Sequence, residues 1–203
     1  MGQIEAKGRG EEMVDDVELA NTKFAAPSVS NIKAYWSNGF NFDPEWDGRA
    51  HLAAGLLKVD EKIVCDIGCG PRQALRNSLS KESTYIPLDL KQWTADVHFC
   101  DLNTGNLPGH LIRSADVVFM LGVCEYLVDL HKSFILLAES CRTLIVSYCS
   151  TDLDNARSPL WINSCSGPEF GSLLGRAGFQ VDRSLSYKPG QYIMRASLQA
   201  GEL

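Results

Sequence analysis

From Lys62 onward the chain alternates short apolar runs with stretches of helical spacing. The apolar runs fall at 62–67, 84–88, 97–100, 115–121 and 143–149, and the helix-like stretches at 73–80, 130–141 and 167–177. The runs are apolar throughout rather than alternating with polar residues, as expected of parallel strands covered on both faces. That order predicts an open α/β sheet with helices on each side. After residue 177 the pattern changes. Residues 178–181, 183–187 and 191–198 read as strands, and Lys188-Pro189-Gly190 is a turn signal, so a C-terminal antiparallel hairpin is expected.

The N-terminal part divides in two. Residues 1–33 hold charged and small residues with little apolar periodicity, which predicts a mobile polar tail with one short helix near Met13–Leu19. Residues 34–60 are different, with Tyr35, Trp36, Phe40, Phe42 and Trp46 placing five rings in twelve residues. Such a segment is either a lid over a site or a fixed cover on one face of the sheet. Asp43-Pro44 reads as an N-cap followed by proline at the first helical position, opening a helix through Lys58. Residues 61–203 then form the main domain.

Composition narrows the function classes. At 203 residues, 45% hydrophobic and 22% charged, the chain is expected to form one globular domain. A net charge of −6 argues against a general nucleic-acid binder, which needs a cationic surface to displace counterions. No apolar run is long enough to span a bilayer, so no membrane partner is expected, and the first thirty residues are too polar for a secretory signal. The seven cysteines show no zinc-finger spacing and read as buried small hydrophobes in a reducing cytoplasm. No cluster of His, Cys, Asp and Glu has ligand spacing, so no metal is expected.

The most informative stretch is Lys62-Ile63-Val64-Cys65-Asp66-Ile67-Gly68-Cys69-Gly70. A buried strand hands over through two glycines to a helix-compatible segment, and glycine is needed where a side chain would keep the backbone from a ligand. Asp89 follows nineteen positions past Gly70, at the end of the second apolar run. Phe99-Cys100-Asp101-Leu102 ends the third, and Leu121-Gly122-Val123-Cys124-Glu125-Tyr126 ends the fourth. With Asp66 two residues ahead of Gly68, this set resembles the class I S-adenosylmethionine-dependent methyltransferases over roughly residues 45–198.

That resemblance implies a Rossmann-like fold, a mostly parallel seven-stranded sheet with helices on both faces and a C-terminal antiparallel hairpin. It implies S-adenosyl-L-methionine as cofactor, with Asp66, Gly68 and Gly70 in the first turn. Asp89 would take the ribose hydroxyls, Asp101 and Leu102 the adenine, and Leu121 and Gly122 the methyl-transfer mouth. Arg49 stands where some relatives use an arginine on the cofactor's carboxylate, a task that suits a guanidinium fork. The family's third glycine is replaced by Arg72, which either faces that carboxylate or is a solvated arginine at a helix start.

Glu125, Tyr126 and His131 are the candidates for the acceptor side, with His51 a further histidine on the N-terminal helix. Methyl transfer needs in-line positioning, and a base only where a hydroxyl must lose its proton. The expected activity is methylation of oxygen or nitrogen on a small-molecule or sugar-type acceptor. The alternative is a non-catalytic S-adenosylmethionine-binding regulatory or scaffold subunit, which an acceptor cleft closed by side chains would favour. A nicotinamide-dependent short-chain dehydrogenase is disfavoured, since none of the six tyrosines has a lysine four residues later.

Overall fold

The computed structural model describes residues 28–154, 156–188 and 190–199, without the Phe40 side chain. Seven strands form one sheet: β1 (Ile63–Ile67), β2 (Thr84–Asp89), β3 (His98–Phe99), β4 (Val117–Met120), β5 (Thr143–Cys149), β6 (Phe179–Tyr187) and β7 (Gln191–Leu198). Their spatial order is β3-β2-β1-β4-β5-β7-β6. The first five pair in parallel, while β7 runs antiparallel to both β5 and β6. The expected mixed sheet with its C-terminal hairpin is therefore present. The stretches 178–181 and 183–187, expected as two strands, form the single strand β6, with a bulge between Val181 and Arg183.

Alternation along the central strands sorts two cores. Val64, Val117, Phe119, Ile145 and Ile193 join Ala50 and Ala53 of α2 (Asp47–Ala54) on one face. Cys65, Val118, Met120 and Val146 join the other, against α3 (Gly109–Ser114), α4 (Leu130–Ala138) and α5 (Gly167–Arg176). With both faces covered, β4 is buried at every position, which is why its run carries no polar alternation. A capping box opens α5: Ser166 accepts from the Glu169 N–H, and the Glu169 carboxylate accepts from the Ser166 N–H at 2.7 Å. Such a cap contributes about 0.5–2 kcal/mol.

Several expectations need correction. The tail does not extend to residue 33, because α1 (Val29–Trp36) is capped by Ser28 and buries Ile32. Met13–Leu19 lies outside the described residues. Asp43 does cap a helical start and Pro44 does follow, but the helix begins as a 3₁₀ turn over Pro44–Trp46 and α2 stops at Ala54 rather than Lys58. The stretch 73–80 forms only a 3₁₀ turn at Arg76–Ser78. Gln73 sits at φ +45°, a left-handed value that breaks helical bonding just after the glycine turn. All seven cysteines are unpaired. No helix among the described residues is long and apolar enough to cross a membrane.

Candidate functional site

The carboxyl ends of β1, β2, β3 and β4 open onto one cavity of about 150 Å³. Gly68 and Gly70 line its floor at φ +80° and +62°. A methyl group on Gly68 would stand 2.4 Å from Val123 Cγ2, and one on Gly70 would stand 2.9 Å from the Phe42 ring. These two positions thus exclude side chains by conformation and by space. Asp66, 3% exposed beneath the turn, accepts from the Tyr85 hydroxyl at 2.6 Å. Burial pushes its pKa up to about 7, opposed by the Tyr85 hydrogen bond.

Asp89 closes the end of β2. Its Oδ2 accepts from the Gly70 N–H at 2.8 Å and its Oδ1 from the Lys91 N–H at 3.3 Å. Burial raises the Asp89 pKa, against the pull of those N–H groups. Asp101, 2% exposed, pairs with Lys33 of α1 at 3.5 Å, and Leu102 lies beside it. The N-terminal helix therefore reaches the far end of the cavity.

Leu121 and Gly122 line the cavity from the β4 side. Arg49 of α2 faces them: its Nη2 donates to the Leu121 carbonyl at 3.3 Å, while its buried Nε has no partner. Gly122 sits at φ +72°, which favours glycine, and a Cβ there would push against the Arg49 guanidinium at 2.7 Å. The Trp36 Nε1, also buried and without a partner, lines the same cavity. Two orphaned donors beside two strand-end carboxylates fit a ligand carrying both acceptors and donors. Arg72 lines the same cavity and is about half exposed, at 45% of its side chain. It pairs bidentately with Asp47 at 2.6 and 3.3 Å, tying the glycine turn to α2.

A second cavity of about 210 Å³ lies beyond Gly122 and shares Trp36, Trp46, Arg49 and Tyr126 with the first. Glu125 lines only this one. It sits in a 3₁₀ turn over Cys124–Tyr126, 1% exposed; its Oε1 accepts from the Cys149 N–H at 2.8 Å and its Oε2 has no partner. Tyr126 accepts from Trp161 Nε1 at 3.1 Å, and burial raises the pKa of its hydroxyl, which keeps its proton. His131, on the first turn of α4, lines neither cavity, and His51 is exposed on α2.

Trp161 carries no signal in the sequence. It lies in the connection from β5 to α5, which Asn163 clamps by donating to the Cys124 and Leu127 carbonyls at 2.8 and 3.0 Å. Arg157 steadies the same connection, donating to the carbonyls of Cys149 and Asn163.

No family model matches the sequence, and no curated protein matches it. Solved structures do. The structure of the mitomycin 7-O-methyltransferase MmcR aligns with a TM-score of 0.64 at 17% identity, covering 85% of this chain and 61% of that one. The Burkholderia thailandensis 1,6-didemethyltoxoflavin-N1-methyltransferase, solved with its substrate and S-adenosylhomocysteine, gives the same TM-score and identity, over 85% and 87%. The pyocyanin biosynthetic protein PhzM aligns at 0.58 and 16% identity, and this chain spans 54% of its length. The fold is that of the class I methyltransferases.

Proposed function

We infer that this chain is an S-adenosylmethionine-dependent methyltransferase acting on an oxygen or nitrogen of a small-molecule acceptor. One observation carries the reading: the glycine turn, Asp66, Asp89, Asp101, Gly122 and Arg49 come from five separate segments and line one cavity. When bound, the cofactor would supply an electrophilic methyl group on a sulfonium. The chain's part is to hold and orient. Asp89 would accept from the ribose hydroxyls, Asp101 from the adenine amine, and the unpaired Arg49 Nε would donate to the carboxylate. Gly68 and Gly70 let the backbone approach.

The acceptor would occupy the second cavity, across the wall that Arg49, Gly122 and Tyr126 provide. That cavity favours turnover over a purely regulatory subunit, in which side chains would fill the space. The solved neighbours named as O- and N-methyltransferases support the same class. The unpaired cysteines fit a reducing cytoplasm. The aromatic segment that carries Trp36, Phe42 and Trp46 would act as a lid, since Phe42 lies over Gly70. Calorimetry with S-adenosylhomocysteine, against NAD and NADP, tests the reading: binding of S-adenosylhomocysteine alone is expected, and binding of NAD alone would sink it.

A further inference from the structure

Glu125, which lines the second cavity, carries a buried acceptor that no donor satisfies. Glu125 is 1% exposed, its Oε1 is committed to the Cys149 N–H, and its Oε2 is buried without a partner. Arg49 lines the same cavity, yet its Nη2 is engaged by the Leu121 carbonyl and no ion pair joins it to Glu125 among the described residues. A buried carboxylate oxygen is strongly unfavourable when left bare, so the geometry asks for a donor delivered from the cavity. Rings line much of the rest, Trp36, Trp46, Trp161, Tyr126 and Tyr187; Arg49 already lies over Trp46 at 5.9 Å and Arg157 over Trp161, which leaves Trp36 and Tyr126 without an arginine over them among the described residues. Aromatic faces attract cations and neither repel nor reward a neutral hydroxyl in the same way.

Charge points the same way. Asp43, Glu45 and Glu125 face two cations, Arg49 and Lys188, and Lys188 is already paired with Glu45 at 2.8 Å. Arg157 lies over the Trp161 ring at 4.4 Å but does not line the cavity. Asp43 and Glu125 are therefore set against Arg49 alone.

We propose that this cavity selects a nitrogen acceptor, a primary or secondary amine whose N–H donates to Glu125 Oε2 while its apolar body packs among Trp36, Trp46 and Trp161. The proposal rests on the transferase reading above and names its substrate class. An amine enters as its ammonium form and passes one proton to Glu125. The freed nitrogen lone pair forms the new N–C bond as the C–S bond breaks with its electron pair onto sulfur. The methylated product leaves as an ammonium, and Glu125 releases its proton to solvent. A carboxylate is a weak base for an alcohol but adequate for an ammonium, whose pKa lies far closer to its own.

The test uses the full chain and three probes with one ring and different heads: 2-phenylethylamine, 2-phenylethanol and 3-phenylpropionate. Binding is followed by saturation-transfer and by the Trp161 indole N–H resonance, with and without S-adenosylhomocysteine. The amine is expected to bind about tenfold more tightly than the alcohol, and Glu125→Gln to erase that preference while leaving the alcohol nearly unchanged. Glutamine keeps an oxygen for the Cys149 N–H; should the variant still fail to fold, Trp161→Leu serves instead and is expected to weaken the amine most. Equal binding of amine and alcohol, or tightest binding of the carboxylate, would overturn the proposal. Calorimetry with S-adenosylhomocysteine separates the two readings. Cofactor binding without amine preference defeats only the amine assignment, and amine preference without cofactor binding defeats the transferase reading.

Discussion

The two cavities share a wall but are made of different material. The first is furnished by strand ends: the backbone of Gly68 and Gly70 and the carboxylates of Asp66, Asp89 and Asp101. The second takes Glu125 from a 3₁₀ turn, Trp161 from a long connection and Lys188 from the hairpin turn, none of which lines the first. Register in the sheet fixes a group at a strand end, because moving it means breaking a ladder of backbone hydrogen bonds. Only its packing partners fix a ring on a loop. Changes in the first cavity should thus disturb fold and ligand together, and changes in the second the ligand alone.

The harshest way to sharpen this contrast is Gly68→Leu. The residue would stand at φ +80° with its Cβ 2.4 Å from Val123 Cγ2. Left-handed strain of about 1–2 kcal/mol adds to about 1–3 kcal/mol of overpacking. Thermal denaturation is expected to show a clear drop in midpoint, with S-adenosylhomocysteine binding lost. A cooperative variant that binds at wild-type affinity would mean that the turn is not the cofactor's floor.

Asp89→Ala comes next. It removes the carboxylate from two ligand hydroxyls and also frees the Gly70 N–H. A loss of about 1.5–3 kcal/mol in binding free energy is expected, roughly ten- to 150-fold in calorimetric Kd. Unchanged affinity would remove Asp89 from the ribose site.

Asp66→Asn probes the fold side of the first cavity. Folded, Asp66 keeps its proton up to about pH 7; unfolded, only to near 3.8. Between those values the native state binds more protons, so this group's contribution to stability is fully present at the acid end. It falls as pH rises across the window and levels off above 7. Urea denaturation at several pH values should show the wild type losing stability relative to Asp66→Asn over that interval. Parallel profiles would mean that the carboxyl is already ionised in the folded chain.

The smallest expected effect belongs to the loop-built cavity. Trp161→Leu removes one hydrogen bond to Tyr126, worth about 0.5–1.5 kcal/mol. S-adenosylhomocysteine affinity should stay within about twofold, while turnover with an acceptor falls. Equal damage to both would show that the two cavities are not separable.

This difference also explains what the sequence disclosed. Asp89 and Asp101 follow directly on an apolar run and Asp66 is the last residue but one of another, so local pattern and site position coincide. The buried strands were legible for the same reason, each being apolar at nearly every position. Trp161 and Asn163 lie in a connection without periodicity, and what places them is contact with residues about 35–40 positions away, Tyr126 for one and Cys124 and Leu127 for the other. The missing helix after the glycine turn follows from a backbone angle at Gln73 that residue type does not announce. Nor does composition reveal that Arg72 pairs with Asp47 of α2. The start of α1 was hidden because Ile32 is its one buried residue.

The place of β7 has a consequence for how the molecule is made. Residues 191–198 lie between β5 and β6, although the ribosome delivers them after both. Until then β5 presents an open edge, and β6 has been synthesised with no neighbour to receive it. An unpaired strand edge of this kind invites pairing with the wrong partner. The bulge between Val181 and Arg183 and the charges Asp182 and Arg183 beside it sit on β6, where a regular, apolar edge would be most hazardous.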